Sequence, residues 1–236
     1  MTTLQSIKED LNHHANKEKA EFLSGFFKAH PGGYGEGDRF IGVVVPAQRG
    51  IAKKIFRELS LGEVEKLLRD EIHEYRLTAL FIIVYKYEKS EEPERRSIVD
   101  LYLRNISHIN NWDLVDASAE KILGPHLING DRKILYDFAH SDDLWKQRIA
   151  IMTTFHFIRN HRYEDTLKIA EILLNHPHDL IHKATGWMLR EIGNRDFNVE
   201  YAFLKRHYRK MPRTMLRYAI EKFDEELRQR FLKGEV

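Results

Sequence analysis

This sequence predicts an all-α fold, and three observations predict it. Apolar residues recur at three- and four-residue spacing along nearly the whole chain, the pattern of a helix with one buried face. Capping and stop signals punctuate that pattern. A basic residue followed closely by small or apolar ones recurs at Arg76-Leu-Thr-Ala, Arg148-Ile-Ala, Lys183-Ala-Thr and Arg217-Tyr-Ala, with a period of about 35 residues that suits two-helix repeats. Trp112 falls midway through the one long gap. Such a repeat cannot bury its apolar face alone, so units stack and leave a concave surface. The chain therefore reads as one α-solenoid over residues 1–236, a single domain rather than two.

In chain order, residues 4–14 and 17–30 form two amphipathic segments. Phe22, Phe26 and Phe27 crowd the second, and Pro31-Gly32-Gly33 ends it. The loop 31–45 carries Gly32, Gly33, Gly35, Gly37 and Gly42 with Tyr34, Asp38 and Arg39. It lacks the Gly-Lys-Ser/Thr end of a phosphate-cradling loop, and loops of about 15 residues are uncommon unless functional or mobile. Pro46 suits the first turn of a helix running towards Leu59. Ser60 and Glu63 make a capping box. Residues 72–87 contain a strand-like run of β-branched residues, but length and helical neighbours favour a long apolar helix. Glu91-Glu92-Pro93 opens the next helix, which ends near Arg104. Asn111 is placed to cap a further helix, with Asp113 in its first turn where the helix dipole favours an acid. Gly124-Pro125 is the expected close of that helix. Helices follow over 131–139, 141–159 with Ser141 as cap, 163–174, 179–192, 199–209, 212–223 and 224–232.

Composition excludes several classes. At 42% hydrophobic, the chain has material for a sizeable core and is not a disordered segment. It has no cysteine, which removes disulfides, thiol nucleophiles and cysteine-ligated metals and suits a cytoplasmic location. No apolar run approaches the roughly 20 residues of a membrane span, and Met-Thr-Thr-Leu-Gln-Ser lacks the pattern of a secretory leader. The histidines are dispersed, with no His-Glu-x-x-His spacing, so no metal site is expected. There is no Gly-x-Ser-x-Gly elbow of a serine hydrolase. A net charge of +2 and a pI near 8.6 hint only weakly at a polyanion, so the distribution of charge matters more. Arg206, His207, Arg209, Lys210, Arg213 and Arg217 cluster near the end, with Tyr208 and Tyr218 interleaved. That pattern fits phosphate contacts. A solvated helix junction, balanced by Glu221, Asp224, Glu225 and Glu226, fits it equally.

The candidate chemistry centres on Trp112 and Asp116, which share a helix face at i,i+4 spacing. An aromatic plate beside a carboxylate suits a cation, or positive charge that develops during a reaction. The plainer alternative is a core tryptophan and a surface acid. Further along, Arg148 follows Trp145 by three residues, and Lys183 precedes Trp187 by four. The repeat puts Trp112/Asp116, Arg148 and Lys183/Trp187 on successive units, on one wall if the phase holds. Against this, Arg148 also suits a structural ion pair and Trp187 a core position. Gly186, inside a helix, costs about 1 kcal/mol relative to Ala, which signals close approach of a ligand or a tight helix crossing.

Three stretches, Asn111-Trp112-Asp113-Leu114-Val115-Asp116, Leu144-Trp145-Lys146-Gln147-Arg148-Ile149-Ala150 and Lys183-Ala184-Thr185-Gly186-Trp187-Met188-Leu189-Arg190-Glu191, give the chain a resemblance to a known family. In order and spacing they resemble the bacterial DNA alkylation repair glycosylases of the AlkD type. The segment from Gly33 to Val43 resembles a branch of the same family. The resemblance implies a right-handed solenoid of HEAT-like two-helix repeats with a concave DNA-binding face. It implies a monofunctional enzyme that excises cationic N3- and N7-alkylated purines from duplex DNA, as a monomer and with no metal, cofactor or membrane. Asp116 would be the catalytic carboxylate, with Trp112 and Trp187 as aromatic walls against the lesion's sugar and backbone. Arg148 would support a nearby phosphate. Phe26 stands where the family usually has tyrosine. Lys183, Arg190, Arg206, Arg209, Lys210, Arg213 and Arg217 would contact DNA. The competing function is a non-catalytic HEAT-like module that binds DNA or a protein partner.

Overall fold

A computed structural model describes residues 3–236. Among these residues the secondary structure is fourteen α-helices, two 3-10 turns and one isolated parallel bridge, Arg39 to Ile72. No helix among them is long and apolar enough to cross a membrane. The contacts divide the chain into two compact units, one ending at Ser118 and one beginning at Ala119.

The first unit holds α1 (Leu4–His13), α2 (Lys17–Phe26), α3 (Val45–Ile55), α4 (Leu61–Leu68), α5 (His73–Lys89), α6 (Glu94–Arg104), a 3-10 turn (Ile106–His108) and the opening turns of α7 (Trp112–Leu127). Its centre is α5, packed by α3, α4 and α6. Every residue from His73 to Val84 is buried. A helix enclosed on all sides has no polar stripe, which is why the stretch 77–84 is apolar but for Thr78. Its burial decides helix over strand.

Local chemistry sets the other boundaries. Ser60 and Glu63 cap α4 reciprocally, as expected. The second amphipathic segment ends at Phe26, short of the expected His30. Ala29 N donates to Ser24 O and Lys28 N to Gly25 O, the paired bonds of a Schellman stop. Lys28 takes the left-handed position, φ 51°, that glycine usually fills.

The second unit continues α7 and adds α8 (Lys133–Ala139), α9 (Leu144–Arg159), α10 (Glu164–Ile172), α11 (Asp179–Gly193), α12 (Phe197–His207), α13 (Arg213–Ala219), a 3-10 turn (Ile220–Lys222) and α14 (Glu225–Lys233). Here α11 is central and packs against α9, α12 and α13. A Cβ at Gly186 would lie 2.4 Å from the Met215 carbonyl oxygen on α13, so this glycine serves a tight helix crossing. Gly193 makes room for Glu200 of α12, whose carboxyl would overlap a Cβ there. Phe203, Leu204, Tyr208, Met215 and Phe231 fill the C-terminal core.

Two further expectations need correction. Gly124-Pro125 does not close α7, which runs through Pro125 to Leu127. Proline forfeits one donor in the last turn, but Ile128 N still reaches Gly124 O, 3.1 Å. Gly124 is small for another reason, because a Cβ there would lie 2.3 Å from the Cβ of His156. The cap of α9 is Asp143 rather than Ser141. The Asp143 carboxylate accepts from Trp145 N and Lys146 N, while the Ser141 hydroxyl donates back to Phe138 O. Replacing Asp143 by alanine is expected to cost about 1 kcal/mol in urea denaturation, and Ser141→Ala much less. The reverse order would return the cap to Ser141.

Candidate functional site

The entry to α7 is held by a buried chain of charges. Asp38, from the glycine-rich loop, accepts from three side chains: Arg76 Nη2, His73 Nδ1 at 2.9 Å and Asn111 Nδ2 at 2.9 Å. The other imidazole nitrogen, His73 Nε2, lies 2.9 Å from Asp113 Oδ2. Asn111 also turns its side-chain oxygen to Trp112 N, 2.9 Å. The residues on both sides of Trp112 are therefore anchored to the loop and to α5. Beside this chain, Glu74 receives the backbone N–H groups of Ile41, Gly42 and Val43. A Cβ at Gly35 would lie 2.3 Å from the Phe27 carbonyl, so the loop fits closely against the end of α2.

The electrostatics follow from this geometry. Burial alone would push the Asp38 carboxyl up, but the His73 hydrogen bond, the Arg76 charge and the Asn111 contact hold it below its ordinary value. Burial would strip His73 of its proton. The charge and hydrogen bond of Asp113, with those of Asp38, reverse that and raise it to about 9. Both ring nitrogens therefore donate. In the second unit, burial drives the Glu200 carboxyl up to about 9, against the opposing pull of Arg190.

Rings surround Trp112. Phe27 stacks on it at 5.2 Å between centroids, and Phe26 meets it edge-on at 5.9 Å. Phe27 and Phe40 also lie against the His73 ring, at 5.0 and 4.7 Å. These rings, with Phe22, Leu77 and Val43–Val45, line a cavity of about 520 Å³. Phe22 and Phe26 are 68% and 52% exposed at its mouth. Trp112 is half-buried, so neither a pure core residue nor a free surface ring. Asp116, also half-buried, lies one turn further along α7, and its charge helps push the buried Tyr102 hydroxyl upward.

The structure brings Trp112, Asp116 and Phe26 into the first unit. The remaining expected residues fall in the second. Arg148 is buried, with Nη1 on the Leu180 carbonyl at 2.6 Å, so it ties α9 to the first turn of α11. On α11, Lys183 pairs with Asp179 at 2.6 Å, Trp187 Nε1 donates to Glu191 at 3.2 Å, and Arg190 pairs with Glu221. Trp187 also lies 5.9 Å from the Phe155 ring. Arg206, Arg209, Lys210, Arg213 and Arg217 are all exposed along α12, α13 and the turn between them. Among the described residues no group of three or more His, Asp or Glu is arranged to hold a metal ion.

An all-helical protein that sets an aromatic plate and a carboxylate on one helix, and carries a row of exposed cations, has the parts of a nucleic-acid enzyme. The chain matches the family model described as DNA alkylation repair enzyme over residues 7–223, and it belongs to that family. Membership implies a DNA substrate and repair of alkylation damage. Its fold is similar to that of a solved structure described as "Predicted DNA alkylation repair enzyme from Enterococcus faecalis". That likeness has 17% identity and a TM-score of 0.71, and covers 90% of this chain and 98% of the other. No curated protein matches the sequence.

Sequence reasoning missed His73, read Arg76 only as a repeat marker, and gave Asp38 no role. One signal was available: His73, Glu74 and Arg76 are polar residues at the start of a helix otherwise apolar all round, and buried charges need partners. The buried imidazolium makes stability depend on pH. An unfolded histidine titrates near 6.5, and His73 in the fold holds its proton to about 9. Its contribution is complete below pH 6.5 and is lost as pH rises through 9. Glu200, raised in the same sense, adds a loss that begins near the carboxylate range. The stability difference between wild type and His73→Gln is therefore expected to shrink between pH 6.5 and 9.5, by on the order of 3 kcal/mol. A constant difference across that window would mean that His73 folds without its extra proton.

Proposed function

We propose that this family member hydrolyses the N-glycosidic bond of cationic N3- and N7-alkylated purines in duplex DNA. The observation that carries the reading is the half-buried Trp112 at an aromatic cavity, with Asp116 one turn further along the same helix. An alkylated purine already carries positive charge and is a good leaving group. As its bond to C1′ breaks, the electron pair goes to the base and the charge moves to the sugar. A fixed carboxylate stabilises that oxocarbenium-like state and positions the water that attacks C1′. Aromatic faces add about 0.5–2 kcal/mol each towards a nearby cation.

In this reading Asp116 is the catalytic carboxylate. Trp112 and Trp187 face the lesion's sugar and backbone, Arg148 supports a phosphate contact, and Phe26 supplies an aromatic edge without a hydroxyl. Lys183, Arg190, Arg206, Arg209, Lys210, Arg213 and Arg217 contact the DNA backbone. The chain is read as one run of HEAT-like two-helix repeats, acting as a cytoplasmic monomer in base excision repair without metal or cofactor. The exposed cations of α12 and α13 also suit a module that binds DNA without cutting it, which predicts affinity and no base release.

Release of N7-methylguanine from duplex DNA tests the choice. Asp116→Asn should lower the single-turnover rate by about 10²–10³ while DNA affinity survives. Equal rates would remove Asp116 from the chemistry, and binding without release by wild type on either N7-methylguanine or N3-methyladenine DNA would favour the module. Arg213→Gln with Arg217→Gln should weaken binding to all sequences and reduce the salt slope by about 0.9 for each phosphate that is no longer neutralised. An unchanged slope would take those two residues off the DNA.

A further inference from the structure

The charged chain ends on both sides of Trp112, and its hydrogen-bond arithmetic has one solution. Asp38 and Asp113 are carboxylates and only accept, and one ring lies between them, 2.9 Å from each. A neutral imidazole has a single N–H. It can serve one carboxylate, and then sets a lone pair against the other. Both contacts require the doubly protonated ring. The two ends are not equally secured. Asp38 is also held by Arg76 and Asn111, whereas the second hydrogen bond to Asp113 is local, from Leu114 N to Oδ1 at 2.9 Å. Loss of the ring proton therefore releases the Asp113 end, in the first turn of α7. The His73 ring reaches Trp112 by a second route, through Phe27, which lies 5.0 Å from one and 5.2 Å from the other.

We propose that Asp38 and His73 are positioning residues for the reaction: through Asn111 and Asp113 they fix the Trp112 ring and, one turn later, the Asp116 carboxylate. The catalytic role of Asp116 rests on the function proposed above. The placement of Trp112 does not. The groups that face the imidazole are Asp38 from the loop, with Arg76 behind it, and Asp113 from α7. Lys19 of α2 and Glu74 of α5 share the cavity with it. Glu74 is committed to the loop amides, and Lys19 is exposed to solvent.

The discriminating variant is Asp113→Asn. Its side-chain NH₂ can donate to Nε2 of a neutral imidazole while Nδ1–H still serves Asp38, so the chain closes without the extra proton. Single-turnover release of N3-methyladenine is measured from pH 6 to 10, with spontaneous loss subtracted. The wild-type rate should fall about 10- to 100-fold between pH 8 and 10, as the reacting groups drift from their aligned positions. Asp113→Asn, whatever its rate at pH 7, should hold that rate to pH 10. Asp38→Asn should lower kcat with little change in DNA affinity. In parallel, Trp112 emission is followed without DNA in a Trp145→Phe/Trp187→Phe background. It should titrate near pH 9, and Asp113→Asn should abolish that transition. A wild-type emission that stays flat to pH 10, or an Asp113→Asn variant that titrates like wild type, would overturn the proposal. Absence of excision on any lesion would overturn the glycosylase reading, and the emission titration would still decide the placement of Trp112.

Discussion

Asp38 is a carboxylate taken out of water, and the first unit is arranged around the need to compensate it. A lone buried charge is costly enough that it either pairs or neutralises. Arg76, His73 and Asn111 satisfy it from two helix beginnings, and Asp113 completes the chain. A loop of this length and glycine content has no reason of its own to adopt one conformation. Here Asp38 and the Glu74 carboxylate, which gathers three consecutive amides, fix it at two points. The order imposed on the loop is passed on, because the same contacts determine where α7 starts and which way Trp112 leaves it. Removing one partner from such a chain would leave an uncompensated buried charge, so the pieces are mutually dependent in a way that apolar packing is not.

The helical fold was legible because it is written in short-range chemistry. The Ser60/Glu63 box and Pro46 acted as the sequence said they would. Where boundaries moved, a tertiary contact or a neighbouring cap prevailed. Gly124 serves His156 rather than a helix end, and Asp143 is better placed than Ser141 beside the first helical residue. Spacing within one helix was also readable, since Trp112 and Asp116 needed only the periodicity of α7. The partners of Trp112 were not readable. Asp38 is far from Asn111 in sequence, and nothing local to either announces the other. Arg148 is a second case. Its place in the repeat put it on one wall with Trp112 and Trp187 or in a structural ion pair, and nothing in the spacing pointed to the Leu180 carbonyl, which its Nη1 meets at 2.6 Å.

The cavity beside Trp112 has an unusual balance of exposed and satisfied surface. Phe22, Phe26, Val44 and Val45 leave apolar area open to water, which monomeric proteins usually limit. The polar side chains beneath them are largely occupied, with His73, Glu74, Asp113 and Gln48 all engaged in internal hydrogen bonds. Such a surface offers ring faces and few edge-reading groups. Contact with it depends on stacking and shape more than on hydrogen-bond pattern.

Glu200 is buried against Gly193, with its proton held to about pH 9, and it changes how much charge the molecule carries. A formal count treats it as an anion and every histidine as neutral, which gives +2. At neutral pH the fold keeps Glu200 uncharged and His73 positive, and each adds one unit to that sum. Both shifts act in the same direction, so these two groups make the folded chain more cationic than the formal count. For a protein that must find sites on a polyanion, that extra charge extends the attractive field felt at a distance. It comes from two buried side chains rather than from surface lysines and arginines, and it is lost as pH rises through about 9.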